Sequence, residues 1–339
     1  MPQLRKDPVV GRWVIISRSR ARRPGNFVDT SDREVEDTDR ECLYCQIQKK
    51  HPQSGESSGD VRVVSSEVYG NHQDKKLHRS KHGLYDVING FGAHEIIIET
   101  TEHLTNMADL DMDQIRLVFE TYASRMRELE KNEQFQYVLA YKDYGPTAGG
   151  ARGAHTCSHV VATPVRPLRV KEKLIGAKNY YEKHKRCVYC DLIRQEIQSG
   201  ERIIYETQHF VALTPFAARL LFEMWILPKE HHCDFPDGIK GKEDDLALMM
   251  KVLLTKLQQG LEDPAYNFVI QTAPFARRGP DAEKWQTIEQ DYHWHIELMP
   301  RLTRVAGFEK GTGFYICSIP PENMAEYLRE IEIDDTITA

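Results

Sequence analysis

The sequence has no apolar run approaching the roughly 18 residues that a membrane-spanning helix requires. Its opening stretch, MPQLRKDPVVGRWVII, has no apolar signal-peptide core behind its basic residues. It has no positive balance either: 45 Lys and Arg stand against 51 Asp and Glu, a net charge of −6. That argues against a general affinity for nucleic acid. Flexible glycine–serine composition is confined to HPQSGESSGD, residues 51–60, which is expected to be a loop. Together these absences lead to the expectation of a soluble, cytoplasmic protein with no nucleic-acid or membrane partner.

At 339 residues the chain is longer than one hydrophobic core usually serves, so two domains or a duplicated one are expected. Its 40% of hydrophobic residues are ample for globular folding. One basic cluster stands out. SRSRARRPGNF places Arg18, Arg20, Arg22 and Arg23 within six residues. On charge alone it reads as a solvated loop, although guanidinium forks also match phosphate oxygens.

The seven cysteines are an odd number, and four of them form two Cys-x-x-Cys pairs: Cys42/Cys45 in CLYC and Cys187/Cys190 in CVYC. In a reducing compartment such pairs are metal ligands or redox centres more often than structural disulfides. A thioredoxin-type pair would open a helix directly after a strand. RECLYCQIQKK follows a polar, acidic stretch instead, which favours metal.

The two halves repeat one order. Each opens with C-x-Y-C. Each then has a strand-like run from Glu to Glu-His, with the His eight residues after the first Glu: EIIIETTEH (Glu95 to His103) and EMWILPKEH (Glu223 to His231). An amphipathic helical pattern follows, LDMDQIRLVFETYASRMRELEK and DDLALMMKVLLTKLQQGLED, then a strand, FQYVLAYKD and YNFVIQTAP. Each half ends in a His-rich strand, HTCSHVVATP led by His155 and HWHIELMP led by His293. We read a tandem repeat of one α+β unit, with mostly antiparallel sheets, helices packed on them, and a boundary near residues 165–172. Residues 1–168 form the first half and 169–339 the second. PPENMAEYLREIE near the C-terminus is expected to be a helix with Pro at its start.

Two thiolates on a tight turn and two imidazoles from separate strands suit a tetrahedral zinc ion. The repeat proposes that set twice: Cys42, Cys45, His103 and His155, then Cys187, Cys190, His231 and His293. His94 and His232 are neighbours that could replace His103 and His231, but the shared spacing from Glu favours the matched pair. Four protein ligands leave no open position, so both zincs are expected to be mainly structural.

These motifs resemble the galactose-1-phosphate uridylyltransferase family, duplicated members of the histidine-triad superfamily. The resemblance spans nearly the whole chain. It rests on DPVVGRWVIISRSRARRP, CLYC, GAHEIIIETTEH, CVYCDLIRQE, PFAARLLFEMWILPKEHH, HWHIELMPRLTRVAGFEKGTGFYI and PPENMAEYL. It implies a tandem histidine-triad-like fold and nucleotidyl transfer by double displacement. A histidine takes the nucleoside monophosphate from a nucleotide sugar, and a sugar phosphate or phosphate then receives it. It further implies that Arg20 and Arg23 hold the diphosphate, that Phe308 and Glu309 contact the sugar, and that the protein is a homodimer with sites near the interface.

The chain departs from the family pattern at one strand. Where relatives read His-Pro-His-Ser-Gln, it reads His155-Thr156-Cys157-Ser158-His159. Cys157 stands in the place of the nucleophilic His, and His159 in the place of the Gln that steadies the phosphate. Asp143 replaces an Asn, and Arg152 stands where relatives have Ser. A strand period of 2 puts Cys157 and His159 on one face with His155. Three readings follow. Cys157 serves as the nucleophile with His159 as its base; or covalent catalysis is lost, leaving binding or direct displacement through His159; or the scaffold carries a different chemistry, with Cys157 joining the zinc. As a whole protein, the chain competes between a nucleotidyltransferase, a non-catalytic nucleotide-binding protein, and a redox or metal-handling protein. His295, on the same face as His293 and Glu297, is a secondary candidate, either a ligand or a catalytic contributor.

Overall fold

The computed structural model describes residues 3–6, 13–16, 42, 44–45, 56–58, 60–66, 76–150, 155–275, 282–304 and 306–334. The first half contributes β1 (Gln3–Lys6), β2 (Trp13–Ile16), β3 (Glu56–Ser58), β4 (Val61–Ser65), β5 (Arg79–His82), β6 (Tyr85–Asn89), β7 (Ala93–Ile98), α1 (Met112–Glu130), β8 (Tyr137–Tyr144) and β9 (Cys157–Thr163). The second contributes α2 (Leu168–His184), α3 (Val188–Ser199), β10 (Ile203–Glu206), β11 (Phe210–Leu213), β12 (Met224–Pro228), α4 (Phe235–Gly238), α5 (Glu243–Gly260), β13 (Tyr266–Gln271), α6 (Ile288–Asp291), β14 (His295–Pro300), α7 (Gly307–Thr312) and α8 (Pro321–Glu330). No helix among the described residues is long and apolar enough to cross a membrane.

Ten strands form one antiparallel sheet, in the order β10-β11-β12-β14-β13-β8-β9-β7-β4-β3. Read outward from its centre, each half gives the same succession, β8-β9-β7-β4-β3 and β13-β14-β12-β11-β10. The fold is therefore α+β and duplicated within a single sheet. The halves join where β8 pairs with β13, from Tyr144 opposite Tyr266 to Ala140 opposite Ile270. A second, four-stranded sheet, β2-β1-β6-β5, had no counterpart in the sequence reading.

The long helices α1 and α5 pack on each other and on one face of the sheet. α1 begins at Asp111, whose side chain accepts from the Gln114 N–H at 2.7 Å and satisfies a donor the helix cannot pair itself. Ile115, Val118, Phe119, Tyr122, Met126 and Leu129 recur at helical spacing and are all buried. In α5, Leu246, Met249, Met250, Leu253 and Leu257 do the same. Burial of one such side chain stabilises the fold by about 1.5–3 kcal/mol.

The opposite face is covered unequally. In the second half Val170, Leu174 and Ala177 of α2 and Ile193 of α3 cover Val211, Leu213 and Leu227. β11 is consequently buried on both faces, its residues alternating between the two cores. In the first half β9 keeps Ser158, Val160 and Ala162 buried, while Cys157, His159 and Val161 on its other face are only partly covered. Among the described residues the equivalent face of the first half lacks such a helix, and it holds a cavity.

Three expectations are corrected. The stretch expected to be a loop holds the edge strand β3. The runs read as strands ending in Glu-His stop earlier, at Ile98 and Pro228, so that His103 and His231 lie in the following loops. His155 and His293 precede β9 and β14 rather than lying within them. Glu95 and Glu223, which open the repeated motif, each meet an arginine. Arg125 of α1 donates to Glu95 at 2.7 and 2.8 Å, and Arg219 donates to Glu223 at 2.6 Å.

Candidate metal centres and candidate active site

Two cysteine–histidine clusters arise from the same local arrangement. Cys187 is the N-cap of α3 and Cys190 lies in its first turn, so both thiols project from one helix start. Tyr44 and Cys45 are likewise helical, with Cys42 just ahead. Cys187 and Cys190 open a helix, as a redox motif would, but α3 follows the helix α2 and not a strand, and both pairs face histidines. In each group of four, Cys42, Cys45, His103, His155 and Cys187, Cys190, His231, His293, the ligand atoms all lie within 4.8 Å of one another.

Cys45 Sγ is 3.4 Å from His103 Nδ1 and 3.6 Å from His155 Nδ1; Cys190 Sγ is 3.3 Å from His231 Nδ1 and 3.6 Å from His293 Nδ1. The remote nitrogens are tied to carbonyls. Nε2 of His155 donates to Thr100 at 2.7 Å, of His231 to Glu289 at 3.0 Å, and of His293 to Pro228 at 2.9 Å. A carbonyl only accepts, so in these three rings the proton sits on Nε2 and the Nδ1 lone pair faces the thiols, the orientation a metal ligand needs. A tetrahedral ion with metal–sulfur near 2.3 Å and metal–nitrogen near 2.0 Å spaces its ligands about 3.3–3.8 Å apart. The donor sets fit such an ion. All eight residues expected from the sequence are in these clusters, and His94 and His232 are in neither.

A cavity of about 340 Å³ lies over the open face of β9, and Cys157, His159, Tyr44, Asp143, Gly149 and Asp263 are among its lining. Cys157 Sγ is 3.8 Å from the Tyr44 hydroxyl, and burial pushes its thiol pKa up. His159 Nδ1 lies 3.0 Å from His94 Nε2, and its ring stacks on Tyr141. His94, weighed from the sequence and set aside as a metal ligand, contacts His159 instead.

Past β8 the backbone curls tightly, with the N–H groups of Ala148 and Gly150 both donating to the Gly145 carbonyl. Gly145 has φ +77°, and a Cβ on Gly150 would come within 2.7 Å of the Asp143 carbonyl, so the curl needs glycine. Asp143 accepts from Asn267 at 2.5 Å, and Asn267 also donates to Ala148 at 2.8 Å, tying the curl to β13 of the other half. Burial raises the Asp143 pKa against the lowering effect of that hydrogen bond.

Behind β9, on its buried face, Lys142 Nζ is 2.7 Å from Glu99, 2.8 Å from the Thr156 hydroxyl and 3.0 Å from the Cys157 carbonyl. Tyr122 donates to Ser158 at 2.6 Å. The strand that carries Cys157 is thus held from below by a buried ion pair and a hydroxyl pair.

The matching face of β14 is filled. Lys173 of α2 reaches Glu297 at 2.5 Å and His295 Nε2 at 3.3 Å, and Arg219 reaches Glu297 at 3.0 Å. Burial opposes the Glu297 charge, but His295, Lys173 and Arg219 outweigh it and hold its carboxyl far below the usual range. His295 Nδ1 donates to the His293 carbonyl at 3.0 Å, and burial keeps its pKa low. His295 belongs to this buried network and lies outside the cysteine–histidine cluster.

Of the remaining expected site residues, Arg20, Arg23 and Arg152 lie outside the described residues. Phe308 and Glu309 lie on α7, where Phe308 is 55% exposed and Glu309 accepts from the Ala306 N–H at 2.8 Å. Within one chain neither lines the cavity over Cys157.

A ten-stranded sheet built from two equivalent five-stranded units, each with a Cys₂His₂ cluster at the start of its His-rich strand, defines a duplicated α+β protein with two candidate metal centres. Family profiles agree with this class. The N-terminal domain of galactose-1-phosphate uridyl transferase matches residues 1–209, and its C-terminal domain matches residues 174–326. The ADP-glucose phosphorylase of Arabidopsis thaliana is 32% identical over 98% of this chain and 93% of its own length. The galactose-1-phosphate uridylyltransferase of Thermotoga maritima is 25% identical over 98% of this chain and all of its own. Among solved structures, a uridylyltransferase superposes with a TM-score of 0.78 at 25% identity, covering 97% of this chain and 98% of that one. The Arabidopsis thaliana ADP-glucose phosphorylase with bound ADP-glucose gives 0.72 at 31% identity, covering 98% and 100%. The chain belongs to the galactose-1-phosphate uridylyltransferase family.

Proposed function

We propose that this protein is a nucleotidyltransferase that moves a nucleoside monophosphate from a nucleotide sugar to a sugar phosphate or phosphate, with Cys157 in the place of the family's histidine. The observation that carries the reading is the pairing of Cys157 and His159 on one strand face, both lining the cavity beside the glycine curl. In the first step the Cys157 sulfur attacks the α-phosphorus. The S–P bond forms, the P–O bond to the sugar phosphate breaks, and the sugar 1-phosphate leaves. The thiol proton passes to the His94–His159 pair, so a pre-formed thiolate is not required. In the second step an acceptor phosphate oxygen attacks phosphorus, the S–P bond breaks and the proton returns to sulfur. Arg20, Arg23 and Arg152 offset phosphate charge, and Asp143 lines the same cavity.

Zinc is the ion we assign to both Cys₂His₂ clusters, in a mainly structural role, because thiolate and imidazole suit it and four protein ligands leave no open position. We place the boundary between the repeats at residues 168/169. Exposed Phe308, Phe314 and Ile316 support a homodimer, with Phe308 and Glu309 on the sugar side. None of the seven cysteines forms a disulfide, which supports a reducing, cytoplasmic setting.

One observation favours a variant of this reading. Burial holds the Cys157 thiol protonated, whereas His159 is braced by two rings; the nucleotide would then reside on His159. Intact-protein mass after mixing with UDP-glucose, and separately with ADP-glucose, decides. A gain of one nucleoside monophosphate that is lost in Cys157→Ala supports the cysteine. A gain that survives Cys157→Ala and is lost in His159→Ala moves the nucleotide to His159. Nucleotide binding with no gain from either donor overturns both and leaves a binding protein on this scaffold.

A further inference from the structure

His159 sits opposite Tyr141 of β8 and Ile96 of β7. Both neighbouring strands engage its ring. Tyr141 stacks on it with centroids 5.0 Å apart and planes at 28°. His94 lies one diagonal step from the Ile96 pairing, a separation that ring side chains can span, and brings Nε2 to 3.0 Å from His159 Nδ1. His94 is 8% exposed. The pairing of Ala93 with Ala162 fixes the face it takes, and a slip of one residue would turn it away.

An N···N contact of 3.0 Å between two imidazoles requires one proton between the two nitrogens. While the pair is neutral, one further proton resides on His94 Nδ1 or His159 Nε2. Accepting another fills both and gives the pair a single positive charge. We infer that His94 is a positioning residue for the transfer step: it engages His159 Nδ1, so that Nε2 is the nitrogen of His159 that exchanges a proton in the cavity, while Tyr141 holds the plane of the ring. This rests on the nucleotidyl-transfer reading above, and the test separates the two.

The full-length protein is labelled with ¹⁵N at histidine, and the His159 signals are identified by their loss in His159→Gln. In the wild type, His159 Nδ1 is expected to show scalar coupling to His94 Nε2 across the hydrogen bond. His94→Phe should abolish the coupling and shift the tautomer populations of His159. It should also slow formation of the nucleotidyl adduct by roughly tenfold or more, with donor affinity unchanged, because a base in the wrong tautomer loses most of its contribution. His94→Gln, whose amide can reach the same nitrogen, should recover the rate. Absence of the coupling in the wild type, or an unaltered His159 tautomer in His94→Phe, overturns the inference; the wild-type coupling decides even where His94→Phe fails to fold. A wild type that couples but forms no adduct with either donor sinks the transfer reading and leaves the His94–His159 pairing standing.

Discussion

Replacing Lys142 with Met should cost about 3–5 kcal/mol of folding free energy, the range for removing one partner of a buried ion pair. The Lys142 and Glu99 side chains are 1% and 0% exposed, with Nζ 2.7 Å from the carboxylate. Met has similar length, so the loss comes from an uncompensated charge and not from a cavity. The Thr156 hydroxyl and the Cys157 carbonyl lose a donor at 2.8 and 3.0 Å as well, and an orphaned buried acceptor costs about 1–3 kcal/mol. One hydroxyl limits the damage, since Thr156 still donates to Glu99 at 2.5 Å. Glu99→Gln in the same background removes the stranded charge, so the double variant should be more stable than the sum of the singles by about 2 kcal/mol. Equilibrium urea unfolding of the four proteins, followed by tryptophan fluorescence, reads both quantities. A loss below about 1 kcal/mol in Lys142→Met, or strict additivity in the double variant, would refute the argument that this pair anchors the start of β9.

Metal removal should unfold the chain. A strong chelator is expected to release two zinc ions per chain together with the near-ultraviolet dichroism, because a closed four-ligand site contributes folding free energy; dichroism that survives complete zinc loss would show that the clusters are dispensable. Acidification tests Asp143, whose pKa burial raises above the ordinary 3.8. A carboxyl with a raised folded pKa holds its proton more tightly when folded, so its contribution is fullest below 3.8 and is lost as pH rises through the folded value. The stability of wild type minus Asp143→Asn should therefore increase from neutral pH down to about pH 4 in urea melts. A flat or opposite trend would contradict the burial argument.

The two cysteine–histidine clusters were legible because a duplicated sequence repeats its spacing. The matched Glu-to-His interval selected His103 and His231 over His94 and His232, and the structure brings those residues together. Strand period alone placed Cys157 and His159 on one face. The pairing of His94 with His159 was not legible, since it depends on how β7 registers against β9, and register arises from tertiary pairing. The helix over Leu168–His184 was missed because the prolines of PVRP drew attention to a boundary, and its burial of Val170, Leu174 and Ala177 depends on a partner sheet. β3 went unread because a serine–glycine stretch carries no apolar alternation, and an edge strand survives on backbone pairing to β4. Asp143 lines the cavity, whereas Phe308 and Glu309 lie away from it within the chain.

The β8–β13 ladder also sets a timetable for synthesis. Tyr144 pairs with Tyr266, about 120 residues later. At about 5–20 residues per second, roughly 6–24 s separate their emergence from the ribosome. Throughout that interval the first repeat, if folded, presents β8 as a bare edge whose unpaired backbone groups can template another chain. Yield in a cell would then depend on what shields that edge until the second repeat arrives, and a first half expressed alone would never lose it.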